Sequence, residues 1–175
     1  NLRGVVASCV YAVQDHRELQ ITMDVSEDLN VLADEVELAR ILSNLLENAR
    51  RYGKTAETEV ARVEIAAKGR EQWVLLKVRD HGSGVPPEQL ANLTKPFFRG
   101  DSARTAAAGA GLGLSIVDKT IQRMGGIFAL ANAASGGLVA HVQLQRASTA
   151  EGTEAHQRLQ RPLVKRKLPP RVTKI

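Results

Sequence analysis

The spacing of apolar residues switches several times along this chain between a period near 3.6 and a period of two, and this alternation restricts the folds open to it. The predicted helices cover 3–15, 34–52, 86–94 and 112–124, and the predicted strands cover 19–25, 60–67, 72–80, 127–132 and 138–145. A turn at 68–71 joins two of these strands, whereas 95–110 has no sustained period, as is typical of a mobile loop. We therefore predict an α/β two-layer sandwich, with a mixed β-sheet and helices on one face.

The charge of the chain is concentrated at its end. The net charge is +5, and residues 146–175 hold eight Lys and Arg against two Glu, so that the remainder is almost neutral. We predict a folded domain over 1–146 and a basic, disordered tail over 147–175. A near-neutral folded part argues against nucleic acid as a partner.

Cys9 is the only cysteine, which excludes an internal disulfide and a zinc site built from several thiolates, and which suits a reducing cytoplasm. The chain contains no run of about 18 apolar residues, so we expect it to be soluble. It begins at Asn1 rather than Met. We therefore expect a longer parent protein.

The longest predicted helix begins at Asp34, whose carboxylate can cap the first turn while Glu37 completes a capping-box pattern. Its predicted buried stripe consists of Leu38, Ile41, Leu42, Leu45 and Ala49. Three polar residues lie beside that stripe at positions i, i+4 and i+7, which places them on one side of the helix: Asn44, Asn48 and Arg51. Two such amides are either satisfied within the protein or form a site for Mg²⁺ that already carries phosphate oxygens and water.

The segment from Asp80 to Gly84 ends a predicted strand with the pattern Asp-x-Gly-x-Gly. A carboxylate at a strand end can accept a hydrogen bond from an exocyclic amine, and Gly82 and Gly84 would let a flat ring approach the backbone. The same pattern is also common in ordinary turns. On its own, therefore, it does not decide between the two interpretations.

A glycine-rich segment, Gly109-Ala-Gly-Leu-Gly-Leu, comes directly before the helix of 112–124. Bare amides at a helix start can hold phosphate, although a glycine-rich hinge is an equal alternative. The segment lacks the sixth-position glycine and the preceding strand of a dinucleotide fingerprint, and the chain has no P-loop pattern. Upstream, Arg99 and Arg104 could supply cations to a γ-phosphoryl group from a lid, or could simply be solvated.

Taken in order, these four pieces resemble the N, G1, F and G2 boxes of the histidine-kinase catalytic domain, which belongs to a wider family shared with gyrase B, Hsp90 and MutL. The resemblance covers about residues 1–146 and implies the Bergerat-type ATP-binding fold. The segments 51–53 and 98–105 look especially like the EnvZ type of osmosensor kinase. Phe97 and Phe98 belong to the F box in this comparison.

The resemblance implies a role for each matched position. Asn48 would hold Mg²⁺ with Asn44 beside it, Arg51 would reach phosphate, and Tyr52 would lie against the adenine. Asp80 would take the adenine amine, with Gly82 and Gly84 beside it. The residues implied for the phosphates are Gly109, Gly111, Leu112, Gly113, Arg99 and Arg104. His81 is a variable position within the G1 pattern, and we expect a surface side chain there.

The implied activity is transfer of the ATP γ-phosphoryl group to a histidine on a dimerisation domain, for relay to an OmpR-like response regulator. The implied parent is a homodimer anchored in the bacterial inner membrane, with this domain on the cytoplasmic side and monomeric by itself. None of the four histidines (His16, His81, His141 and His156) stands in the sequence setting of the family's acceptor histidine.

Two other functions stay open on the sequence. One is an ATPase of the same fold that drives a conformational cycle, but the glutamate that activates water in those branches is replaced by Asn44, and a neutral amide cannot take a proton. Glu47 is about 100° round the helix from Asn48 and should point elsewhere. The other is an adaptor without catalytic activity, which would bind no nucleotide.

Overall fold

One mixed sheet and the helices packed against it make up the described part of the chain. The structure, a computed structural model, describes residues 1–55, 58–98 and 112–147. The helices are α1 (Leu2–Ala12), α2 (Glu35–Tyr52), α3 (Pro87–Leu90) and α4 (Gly113–Arg123). The strands are β1 (Leu19–Asp24), β2 (Ala61–Arg70), β3 (Trp73–Asp80), β4 (Ile127–Asn132) and β5 (Leu138–Gln145).

The strands lie in the order β1-β2-β3-β5-β4. β1 is parallel to β2, and the other neighbouring pairs are antiparallel. Strands β2, β3 and β5 alternate between buried apolar residues and more exposed ones, so that one face of the sheet supplies the core. Helices α1, α2 and α4 cover that face, and the predicted two-layer α/β sandwich is confirmed.

Helix α2 forms the centre of the helical layer, between α1 and α4. It begins as predicted, because the Asp34 side chain accepts a hydrogen bond from the Glu37 amide at 2.9 Å. The whole predicted apolar stripe is buried, together with Leu46. The helix ends where the Gly53 amide bonds to the Ala49 carbonyl at 2.7 Å.

Several predicted ends were wrong. Helix α1 stops at Ala12 rather than at residue 15, because the next amides bond three residues back, as with Val13 to Val10, and tighten the chain into turns. The turn between β2 and β3 is only Glu71 and Gln72, since Arg70 still pairs with Trp73. Helix α3 ends at Leu90 and is followed by further turns.

The predicted ends of β4 and β5 are confirmed. In the described ranges no helix is both long and apolar enough to cross a lipid bilayer.

Candidate active site

A shallow cleft, open to solvent, lies between α2 and α4 over strands β3, β4 and β5. Its lining residues are Leu45, Asn48, Ala49, Val78, Asp80, Leu114, Leu130, Leu138 and Ala140. The lining is apolar except for Asn48 and Asp80. An apolar slot with a few polar groups is typical of a site for a flat organic ring.

Asp80 is the last residue of β3 and is only 7% exposed. Its Oδ1 accepts hydrogen bonds from the amide of Gly82 at 3.0 Å and from the amide of Leu138 at 3.1 Å. Its Oδ2 accepts none from the residues that the structure describes. Burial raises the pKa of this carboxyl, while the two backbone hydrogen bonds oppose the rise. The arrangement holds one oxygen in place and leaves the other to accept a hydrogen bond in the cleft.

Three glycines enclose Asp80, and two of them were not predicted to belong to the site. A Cβ added at Gly53 would lie 2.6 Å from the Asp80 Cβ, and one at Gly82 would lie 2.9 Å from the Gly53 Cα. Gly137, at φ +88°, has its backbone so close to Asp80 that a Cβ would overlap the Asp80 carbonyl. The sequence marks Gly53 and Gly137 only as a helix end and a turn, and their packing on Asp80 comes from long-range contacts.

Gly84 has a structural reason of its own to be glycine. It adopts φ +75°, and an added Cβ would lie 2.7 Å from Oδ1 of Asn132. The Asn132 amide exchanges two hydrogen bonds with the backbone of Val85, at 2.9 and 2.6 Å. The contact between Gly84 and a nucleotide therefore stays a prediction.

The two asparagines on one side of α2, Asn44 and Asn48, have different surroundings. Asn48 lines the cleft, and its amide has no hydrogen-bond partner among the described residues. The Asn44 amide is oriented by its own helix, because Nδ2 donates to the Arg40 carbonyl at 2.9 Å. This turns Oδ1 towards the start of α4, where a Cβ on Gly113 would lie 3.5 Å away.

Arg51 and Tyr52 follow at the end of α2 and do not line this cleft. Arg51 Nε donates to Glu47 at 2.5 Å, and Tyr52 is 39% exposed. Their predicted contacts with phosphate and with adenine remain predictions.

At the start of α4, Leu112 occupies the N-cap position and its side chain makes no capping hydrogen bond, so among the described residues no side chain caps the first amides of the helix. Arg99, Arg104, Gly109 and Gly111 lie outside the described residues, and the roles predicted for them are neither supported nor opposed.

Glu47 is held away from the cleft, as its helical position predicts. It binds Arg50 and Arg51, and the Arg50 hydrogen bonds are the main cause that lowers its pKa to about 2. A carboxylate of such low basicity is a poor general base. The His81 side chain, expected at the surface, is 30% exposed, and its Nε2 lies 2.9 Å from Glu64 Oε1.

The described residues contain no cluster of three or more His, Cys, Asp or Glu that could hold a metal by itself. Two oxygen donors line the cleft, Oδ2 of Asp80 and the Asn48 amide oxygen. The amide oxygen fits a Mg²⁺ whose other ligands are phosphate oxygens and water.

The sequence model of the family described as "Histidine kinase-, DNA gyrase B-, and HSP90-like ATPase" matches residues 33–160. The chain belongs to this family. Several sensor kinases are similar to this chain in sequence. Hik2 of Synechocystis is 31% identical over 119 residues, which is 66% of this chain and 27% of that protein. SenX3 of Mycobacterium tuberculosis is 36% identical over 104 residues, or 59% of this chain and 24% of that protein.

SasA of Prochlorococcus marinus, an adaptive-response sensory kinase, is 30% identical over 131 residues, or 72% of this chain and 33% of that protein. The chain thus spans 24% to 33% of the length of these curated relatives. It is homologous to the ATP-binding catalytic part of sensor histidine kinases.

Solved structures of histidine kinases share the fold of this chain. The mycobacterial sensor histidine kinase MprB superposes with a TM-score of 0.73 at 25% identity, over 85% of this chain and 97% of that one. Full-length ShkA, solved in complex with AMPPNP, gives 0.71 at 27% identity, over 85% of this chain and 31% of that one.

Proposed function

We propose that this chain binds Mg-ATP in the cleft of Asn48 and Asp80 and donates the γ-phosphoryl group to a histidine on a separate dimerisation domain. The observation that carries the proposal is the Asp80 carboxylate, which is buried at the floor of an apolar slot with one oxygen held by two amides and the other without a protein partner among the described residues. An exocyclic amine of adenine is the kind of group that such an oxygen binds.

The other predicted site residues are assigned around that anchor. Asn48 supplies an amide oxygen to Mg²⁺, with Asn44 beside it. Arg51, Arg99 and Arg104 reach the phosphates, and Tyr52 lies against the adenine. The amides of Gly109, Gly111, Leu112 and Gly113 receive the phosphates at the start of α4, where the helix dipole favours negative charge.

Transfer to a protein is favoured over hydrolysis by the side chains near Asn48. Asn44 is neutral and its amide donates to the helix backbone, while Glu47 is paired with two arginines and lies outside the cleft. Asn44 therefore cannot take a proton from water, and Glu47, with its pKa lowered to about 2, is a poor base for this step.

We further propose that the parent protein is a homodimer anchored in the inner membrane, with this domain on the cytoplasmic side. The proposed relay runs to an OmpR-like response regulator, and the EnvZ-like segments 51–53 and 98–105 favour an osmosensor type. The sensor-kinase names of the relatives support a response regulator as the partner in this relay.

The first test is a titration of the purified chain with ATP analogues, with and without Mg²⁺. We expect binding that is tighter with Mg²⁺, and failure to bind any nucleotide would favour an adaptor instead. Steady hydrolysis of ATP by the chain alone would favour the ATPase alternative.

The second test concerns the acceptor. Incubated with γ-labelled ATP, the chain alone should acquire no label, because none of its histidines has the acceptor setting and the reaction depends on bringing donor and nucleophile together. A dimerising helical hairpin from the same parent, with its histidine intact, should become labelled when added in trans. Stable labelling of the chain at one of its own histidines would contradict this division.

A further inference from the structure

A series of ion pairs connects the end of α2 with the segment before β1. Glu47 Oε1 accepts from Arg51 Nε at 2.5 Å and from Arg50 Nη2 at 2.8 Å, and its Oε2 accepts from Arg50 Nε at 2.8 Å. Arg50 Nη1 continues to Glu18 at 2.9 Å, and Lys54 reaches the other oxygen of Glu18 at 3.2 Å. Glu47 is therefore shared by two arginines that are adjacent in sequence.

A role in stability explains little of this arrangement. The Glu47 and Arg51 side chains are 41% and 35% exposed, and exposed pairs at i, i+4 on a helix stabilise proteins only slightly. Arg51, however, is three residues after Asn48 and shares its side of the helix, and Asn48 lines the cleft. The pair that Glu47 forms with Arg51 thus restrains a cation that does not line the cleft itself but follows Asn48 on the same side of α2.

We infer that Glu47 is a positioning residue, which holds the Arg51 guanidinium beside Asn48 in the place where it meets the phosphates of ATP. This inference rests on the proposed function. A long side chain that is already held loses less rotamer freedom when the ligand binds, and the affinity rises accordingly. Arg50 has the supporting role, since its two bonds to Glu47 engage both oxygens of that carboxylate and keep it in one orientation.

The negative charge of Glu47 acts in the opposite direction, because it repels phosphate. Two observations make that repulsion the smaller effect. The carboxylate is bonded to two guanidinium groups, and it is partly exposed, so that water and salt screen it from the cleft. At physiological salt we therefore expect the loss of positioning to dominate when Glu47 is neutralised.

The experiment compares Glu47→Gln with the unsubstituted chain in titrations with ATP and with adenosine at about 0.15 M salt. The affinity for ATP should fall roughly two- to tenfold, while the affinity for adenosine should not change, because adenosine has no phosphate for Arg51 to meet. Glu18→Gln is the matched control. It removes a carboxylate from the same series of ion pairs, but one that contacts Arg50 and Lys54 and not Arg51, and ATP affinity should not change.

A double-mutant cycle separates positioning from direct electrostatics. In an Arg51→Gln background, Glu47→Gln should cause no further loss of ATP affinity, because the group that Glu47 positions is gone and only its weak repulsion of phosphate is removed. An unchanged or tighter ATP affinity in Glu47→Gln, or an equal loss in both backgrounds, would overturn the inference. Those results leave ATP binding by the unsubstituted chain intact, whereas failure of the proposed function would show as no ATP binding at all.

Discussion

Replacing Asp80 with asparagine separates the two tasks of this side chain, which are the contact of Oδ1 with two backbone amides and the proposed contact of Oδ2 with the adenine amine. The asparagine would keep an Oδ1 that can accept from the amides of Gly82 and Leu138, but it would present an NH₂ group where the free carboxylate oxygen faces the cleft. The NH₂ group of the asparagine and the exocyclic amine of adenine, both hydrogen-bond donors, would then face each other. An unsatisfied buried polar group costs about 1–3 kcal/mol, so ATP should bind roughly 5- to 150-fold more weakly.

The same substitution should leave the fold at least as stable at pH 7. Burial raises the pKa of Asp80 in the folded state above its ordinary value of 3.8, so this group favours the folded state below that pH and loses the contribution as the pH rises through the folded pKa. Above the folded pKa the native protein therefore carries a buried charge that Asp80→Asn removes. The advantage of the variant should shrink as the pH falls towards 4.

Asp80→Ala is the matched control, since it leaves the amides of Gly82 and Leu138 without an acceptor. It should lower the free energy of unfolding by about 1–3 kcal/mol for each amide that is buried and not reached by water. Urea denaturation followed through Trp73, the only tryptophan, measures stability, and calorimetric titration with ATP and GTP measures recognition.

An unchanged affinity of Asp80→Asn for ATP, with the same preference over GTP, would refute the role of Asp80 in base recognition. A loss of stability in Asp80→Asn as large as that in Asp80→Ala would refute the division of tasks, because the Oδ1 contacts would then not have survived the substitution.

Three further expectations concern other residues. Asn48→Ala should weaken Mg-ATP binding about tenfold, by the loss of a hydrogen bond or ligand contact to a charged group, with an unchanged urea midpoint; equal affinities at saturating Mg²⁺ would remove Asn48 from the site. Gly53→Ala should lower the free energy of unfolding by about 1–3 kcal/mol, because its Cβ would lie 2.6 Å from the Asp80 Cβ. Gly113→Ala meets only an ordinary 3.5 Å contact, so it should weaken nucleotide binding without unfolding the domain. Urea curves that coincide for the two variants would be inconsistent with this packing. The Cys9 thiol, 7% exposed and with its pKa raised by burial, should react with a thiol reagent only as the protein unfolds, and rapid labelling in native buffer would contradict its burial.

Sequence patterns were sufficient for the order of the helices and strands and for the strands that alternate cleanly. Strands β4 and β5 end where alternation predicts, whereas β2 continues through Lys68, Gly69 and Arg70, which have no apolar period. Those residues are in the sheet because they pair with β3, as in the Gly69 to Val74 register. Pairing between strands is a tertiary property, and it overrides a weak local pattern.

The sequence by itself determined which chemical groups this protein could bring to a site. Asn48 and Asp80 belong to two separate motifs, and the fold places both in one cleft. Only the tertiary structure decided how each group is held. Leu138 donates to Asp80 across 58 positions of chain, Gly53 and Gly137 close on the same carboxylate, and Glu18 joins the ion pairs of α2 from 32 positions before Arg50. Such contacts depend on strand register and helix packing, which the local spacing of residues does not encode.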